Sequence, residues 1–241
     1  MSEPRPIDTR FLPPVAGIDL EQSLNYLALP EAGETFIYQC YTGARLPYRA
    51  GSRPELERVA RQAVSGATTP LAKVQALATY VATRMPWAGF YEQRTGQRLA
   101  ADRGMSEEAL LASGYGWCNE QARVLCGLTQ VVGIPSRLVF AANLEAHYGH
   151  VVVEVLLPEG WLMVDESFGY CFCRDGKPVR AAEVYRDPAC RAYFGPRYLK
   201  LCRDLATELS VERLRGSFNM ALAAEPLDGF KDLGFHNHFV H

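Results

Sequence analysis

The sequence lacks several features that would each have fixed a function class at once. No stretch approaches the roughly 18 uninterrupted apolar residues that a spanning helix needs, so no membrane partner is expected. A formal charge of −2 over 241 residues provides no broad basic field, which argues against nucleic acid as a partner. The N-terminus, "MSEPRPIDTRFLPPVAG", has no basic start followed by a long apolar run and does not read as a signal peptide. A cytoplasmic protein is the expectation. Phosphate-binding glycine loops and EF-hand-like acidic loops are missing too.

Cysteine is present but not in the spacings that usually explain it. There are seven, an odd number in a chain without a signal, which argues against a full disulfide framework and leaves thiols for packing or chemistry. "CFC" at 171–173, with Cys190 and Cys202, lacks paired C-x-x-C spacing for zinc. His236, His238 and His241 read as a docked or solvated tail, so neither a metal nor another cofactor is expected.

What is there reads as helices first and strands afterwards. Residues 1–53, rich in Pro and Gly, are expected to form an N-terminal arm. "PELERVARQAVSG" from Pro54 and "TTPLAKVQALATYVATRM" up to Pro86 carry apolar residues at helical spacing, the second with Thr69 as N-cap and Pro70 at its first position. Residues 87–105 are polar and glycine-bearing and read as a loop. Ser106 caps a short helix ending near Gly114, and Cys118 opens another that stops at "GIP".

The period then changes. "SRLVFAAN", "HVVVEVLLP" and "GWLMVDES" are short strands separated by turn residues, the last two joined by Pro158-Glu159-Gly160 as a hairpin. An α+β class follows, with a core over 54–180. A C-terminal helical extension is expected over 181–241, with a helix in "RYLKLCRDLATELSVERL" and irregular chain at the end.

Three polar residues stand out in this layout. Cys118 sits where unpaired backbone N–H groups and the helix dipole favour thiolate over thiol, and where an oxyanion could be received. His150 opens one hairpin strand and Asp165 closes the other, so pairing can make them neighbours at one end of the sheet. There the imidazole can take the thiol proton while Asp165 holds its other nitrogen. His147 and Glu166 are the competitors, the first in the preceding loop and the second pointing to the opposite face. Glu154 shares a face with His150 and reads either as a second acid behind it or as a structural ion-pair partner. Cys126, eight residues after Cys118, reads as core.

"GYGWCNEQARVLCGLTQVVGIPSRLV" followed by "HVVVEVLLPEGWLMVDES" resembles the transglutaminase-like superfamily of papain-type folds. The shared pattern is a Gly-x-Cys turn opening a helix, a "GIPxR" exit, a His-x-x-x-Glu-Val strand and a "GWxxVD" strand. The resemblance implies a papain-like core, with helices packed on an antiparallel sheet, and a catalytic triad. Its members would be Cys118 as nucleophile, His150 as base and Asp165 as orienting acid. An oxyanion-hole side chain would come from upstream, with Trp87, Gln93 and Gln97 as candidates. The chain departs from the pattern at Asn119, at Val152, and at "VDES" where "VDP" followed by Thr or Ser is common.

The implied function is cysteine-dependent acyl transfer or amide-bond hydrolysis through a thioester, on a peptide, amide or thioester substrate. An amide-forming acyltransferase and a catalytically silent binding module of the same fold are the alternatives. The sequence does not specify an oligomeric state.

Overall fold

A computed structural model describes residues 48–97, 99, 104–143, 148–207, 227, 230, 232–236 and 238. Most of the expected N-terminal arm, Cys40, His147 and His241 lie outside the described residues, as does the expected helix beyond residue 207.

Among the described residues, five helices precede the sheet. Helix α1 (Pro54–Ala63) starts on a proline and carries Glu55 and Glu57 in its first turn, where acidic charge suits the helix dipole. In α2 (Pro70–Arg84) the Thr69 side chain accepts from the Ala72 amide, the cap expected from the sequence. Helix α3 (Ala88–Thr95) replaces part of the loop read at 87–105. It was illegible because it is only eight residues long and carries Gly89 in its first turn. Its end is a left-handed Gly96. Helix α4 (Glu107–Ser113) is capped by Ser106 and closed by a left-handed Gly114, and α5 (Cys118–Val131) follows four residues later.

The strands are β1 (Ser136–Asn143), β2 (Tyr148–Leu157), β3 (Gly160–Asp165) and the short β4 (Tyr170–Cys171). All pair antiparallel, and the hairpin between β2 and β3 closes at Leu157 and Gly160 as the turn residues require. A small ribbon, β5 (Cys173–Arg174) with β6 (Lys177–Pro178), leads into α6 (Ala181–Arg186) and α7 (Pro188–Thr207). The chain then contributes β7 (Asp232–His236), which pairs antiparallel with β1, so the sheet order is β4-β3-β2-β1-β7.

Two features of the C-terminal segment differ from the sequence reading. It is not wholly helical, because β7 extends the main sheet; its five residues alternate only at Leu233 and Phe235, too short a pattern to mark a strand, and backbone pairing to β1 sets their conformation. Helix α7 also begins nine residues earlier than expected and runs through Pro196, with the Asp187 carboxylate accepting from the Ala189 amide at 2.8 Å.

The sheet is covered on both faces. Val151, Val153 and Val155 of β2 turn towards α5, and one core forms there with Leu125 and Leu128, Leu77 and Val81 of α2, and Leu56 of α1. The opposite face carries Val139, Val152 and Met163, and these pack on Phe172, Phe194, Tyr198 and Leu233 from the chain beyond the hairpin. The period-two alternation of the strands thus feeds two separate cores. No described helix is long and apolar enough to cross a membrane.

Candidate active site

Cys118 is the first residue of α5, and the residue before it, Trp117, supplies no side-chain cap. The amides of the first turn therefore receive no capping oxygen from that side chain. The turn that aims this helix is held from upstream. Trp87 and Gly116 form a parallel bridge, with the Ala88 amide donating to the Gly116 carbonyl at 2.7 Å and the Gly116 amide to the Pro86 carbonyl at 3.2 Å. A methyl group on Gly116 would stand 2.2 Å from Met85 Cε and 3.1 Å from Glu120 Cβ, so a side chain there would have to displace the end of Met85.

On the sheet side, the register that pairs Val153 with Val164 leaves Asp165 diagonal to His150 on one face. Their side chains meet: His150 Nε2 lies 2.9 Å from Asp165 Oδ2. The imidazole is also hydrogen-bonded to Cys118, and with Nε2 taken, Nδ1 is the nitrogen left for the thiol. Cys118, His150 and Asp165 thus form one connected row from a half-buried thiol to a fully buried carboxyl. Burial by itself would lower the basicity of His150. The Asp165 charge and hydrogen bond, aided by Cys118, outweigh it and hold the imidazolium well above its ordinary range.

Asp165 is held by more than the histidine. The Ser167 amide donates to Oδ1 at 3.0 Å, and the Tyr198 hydroxyl of α7 donates to Oδ2. Ser167 in turn donates through its hydroxyl to Gln121 Oε1 at 2.7 Å, and Gln121 Nε2 donates to the Met85 carbonyl at 2.7 Å. This buried chain ties the end of β3 to the first turn of α5 and to the end of α2. Gln121, three residues after Cys118, was detectable by its helical spacing. Tyr198, 33 residues from Asp165 in sequence, had no such signal.

The other candidates divide. Trp87 is brought to the site: its ring packs edge-on to Trp117 with centroids 5.3 Å apart, and it fills the space that a Cβ on Gly89 would need. Gln97 is exposed beyond the end of α3, and Gln93 lies in α3 with its side chain outside the described part of the structure. Glu154 is engaged in an ion pair. Arg137 donates to its Oε2 through Nε at 2.9 Å and Nη2 at 2.6 Å, the Ala181 amide donates to Oε1 at 2.7 Å, and the Trp161 and Phe235 rings cover the guanidinium. The arginine of "GIPSR" and the glutamate of the His-x-x-x-Glu strand are thus cross-strand partners.

Cys126 is buried against Ser136, and burial pushes its thiol up to about 12. Cys171 is likewise pushed up to about 12 by burial, a poor nucleophile for the same reason. His238 docks on Glu107 Oε1 at 2.9 Å, beside Arg123. Among the described residues no group of three His, Cys, Asp or Glu side chains is placed to hold a metal.

A family model agrees with this architecture. The family model described as "Transglutaminase-like superfamily" matches residues 57–166, which span α1 through the end of the candidate triad. Similar solved structures include a proposed cysteine protease from Cytophaga hutchinsonii, at 16% identity and TM-score 0.40, covering 62% of this chain and 48% of that one. They also include the periplasmic domain of TgpA from Pseudomonas aeruginosa, at 22% identity and TM-score 0.38, covering 53% of this chain and 46% of that one. The chain spans about half the length of these structures. No curated protein matches. Residues 57–166 of this chain are a domain of the transglutaminase-like superfamily.

Proposed function

We propose that the domain performs cysteine-dependent acyl transfer through a thioester, with hydrolysis as the outcome. The observation that carries this reading is the unbroken row from Cys118 through His150 to Asp165. His150 removes the thiol proton, and the thiolate attacks the carbonyl of an amide, peptide or thioester. The oxyanion is received by amides at the start of α5, with the Trp87 indole beside that turn as the side-chain candidate. Collapse of the tetrahedral intermediate expels the leaving group, which takes its proton from the imidazolium. Water then attacks the thioester, with His150 as base, and restores the thiol. Asp165 keeps the ring oriented and stabilises the imidazolium throughout.

The test uses p-nitrophenyl acetate as an acyl donor. The wild type is expected to acetylate on Cys118 and release nitrophenolate. Cys118→Ala should lose at least about 10⁴-fold of that turnover. Turnover equal to wild type in the variant would sink the proposal. Adding a primary amine to the reaction separates the two fates of the thioester, since hydrolysis gives acetate and aminolysis gives an amide.

A further inference from the structure

We propose that Tyr198 is a positioning residue of the triad, delivered from α7, outside the segment that the family model matches. The inference rests on the acyl-transfer reading above. Its basis is geometric: the Tyr198 hydroxyl and His150 Nε2 converge on the same oxygen, Asp165 Oδ2, while the Ser167 amide takes Oδ1. Donors from α7, from β2 and from the turn after β3 fix the carboxyl plane in three directions. A carboxyl held only by the histidine could rotate about its Cβ–Cγ bond, and the imidazole would turn with it.

Tyr198 is itself fully buried and gripped by aromatic rings. Phe168 and Phe172 stand with centroids 5.3 and 5.8 Å from it, so the hydroxyl has little freedom to leave Asp165. Burial also keeps it away from substrate, and any effect it has on chemistry must pass through Asp165. That effect has a definite sign. A hydroxyl donating to Oδ2 spreads the carboxylate charge and weakens the hold of Asp165 on the imidazolium. Removing the hydroxyl leaves Asp165 a stronger acceptor, and His150 keeps its proton to higher pH. Other titratable groups around this cluster include Cys118 on α5, Glu166 after β3, Tyr170 on β4, Tyr185 on α6 and Glu154 on β2, and none of them is altered in the variant.

Tyr198→Phe retains the ring and its packing, and Phe194→Leu serves as a control in the same core without touching Asp165. The His150 imidazole is titrated by NMR in wild type and both variants. The expected result is an upward shift of the His150 titration in Tyr198→Phe and none in Phe194→Leu, although both lower thermal stability. A His150 titration unchanged in Tyr198→Phe, or shifted equally in Phe194→Leu, overturns the proposal. Alkylation of Cys118 by iodoacetamide across pH, run in parallel, reports on the acyl-transfer reading. A wild-type thiol no more reactive than a free cysteine counts against that reading, whereas the histidine titration still reports on the link between Tyr198 and Asp165.

Discussion

The two faces of the five-stranded sheet are covered by different kinds of chain. On one face lie α1, α2 and α5, helices whose apolar residues recur at regular spacing and whose starts are marked by Pro54, Thr69 and the Cys118 turn. On the other lie α6, α7 and Phe230, joined by aromatic contacts such as Phe172 on Phe194 and Tyr185 on Phe230, with Leu233 and Phe235 of the edge strand β7 in the same core. The first face presents the thiol. The second reaches Asp165, the far end of the candidate triad, through Tyr198. The matched segment at 57–166 is not self-sufficient around Asp165, because part of that residue's environment arrives from later in the chain.

The strongest way to break this picture is at the joint between the later chain and the sheet. Glu154 is fully buried and takes the Arg137 guanidinium from β1 and the Ala181 amide from the start of α6. Arg137→Met strips a buried carboxylate of its cation, which is expected to cost about 3–5 kcal/mol of stability. The double variant with Glu154→Leu should recover most of that loss, since apolar replacement of both partners removes the uncompensated charge. Urea unfolding midpoints measure both. A cost below about 1 kcal/mol for Arg137→Met would mean that the pair is not what joins the two parts.

A matched pair of truncations sharpens the comparison. Leu128 on α5 and Leu233 on β7 are both buried, one in each core. Each Leu→Ala change is expected to cost about 2–5 kcal/mol through lost contacts and a residual cavity. Their local signatures should differ. In native-state hydrogen exchange, Leu233→Ala should speed the amides of β7 and α7 more than those of α5, and Leu128→Ala should do the reverse. Equal acceleration everywhere would show that the two cores open as one unit.

The same division explains what could be read from the sequence. Cys118 was legible because a glycine turn running into a helix marks its position. His150 and Asp165 were legible because a two-residue turn fixes hairpin register and so puts strand start beside strand end. Arg137 and Glu154 were half legible: each stood in a quoted motif, but only the register of β1 on β2 shows that they are partners. Helix α3 escaped because eight residues with an early glycine carry too little periodicity. Tyr198 and β7 escaped for another reason. Their roles depend on long-range contacts with Asp165 and β1, and no local pattern around Gly195-Pro196 or "DLGFH" encodes those partners.

The smallest effect at any one pH separates two adjacent carboxyls. Asp165 faces the later chain and collects three donors, while Glu166, where proline is common in the family pattern, is fully buried and lies near Cys118 and Cys126 of α5. Neither oxygen of Glu166 meets the geometry of a hydrogen bond. Burial, reinforced by the neighbouring Asp165 charge, pushes its carboxyl well above the ordinary 4.5. The folded protein therefore keeps a proton that the unfolded chain gives up. This contribution is fully favourable below about pH 4.5 and is lost as pH rises towards the folded value, by at most about 1.4 kcal/mol per pH unit. Glu166→Gln has similar volume and cannot ionise, so its stability should fall less steeply between pH 4.5 and 6.5. Confining the comparison to that window leaves out most of the decline that His150 adds in both proteins at higher pH, because its imidazolium is also held above the ordinary 6.5. Urea midpoints at several pH values across that window test the difference. Parallel curves would mean that Glu166 is ionised in the folded state, and that the contrast between the two carboxyls does not follow the two faces of the sheet.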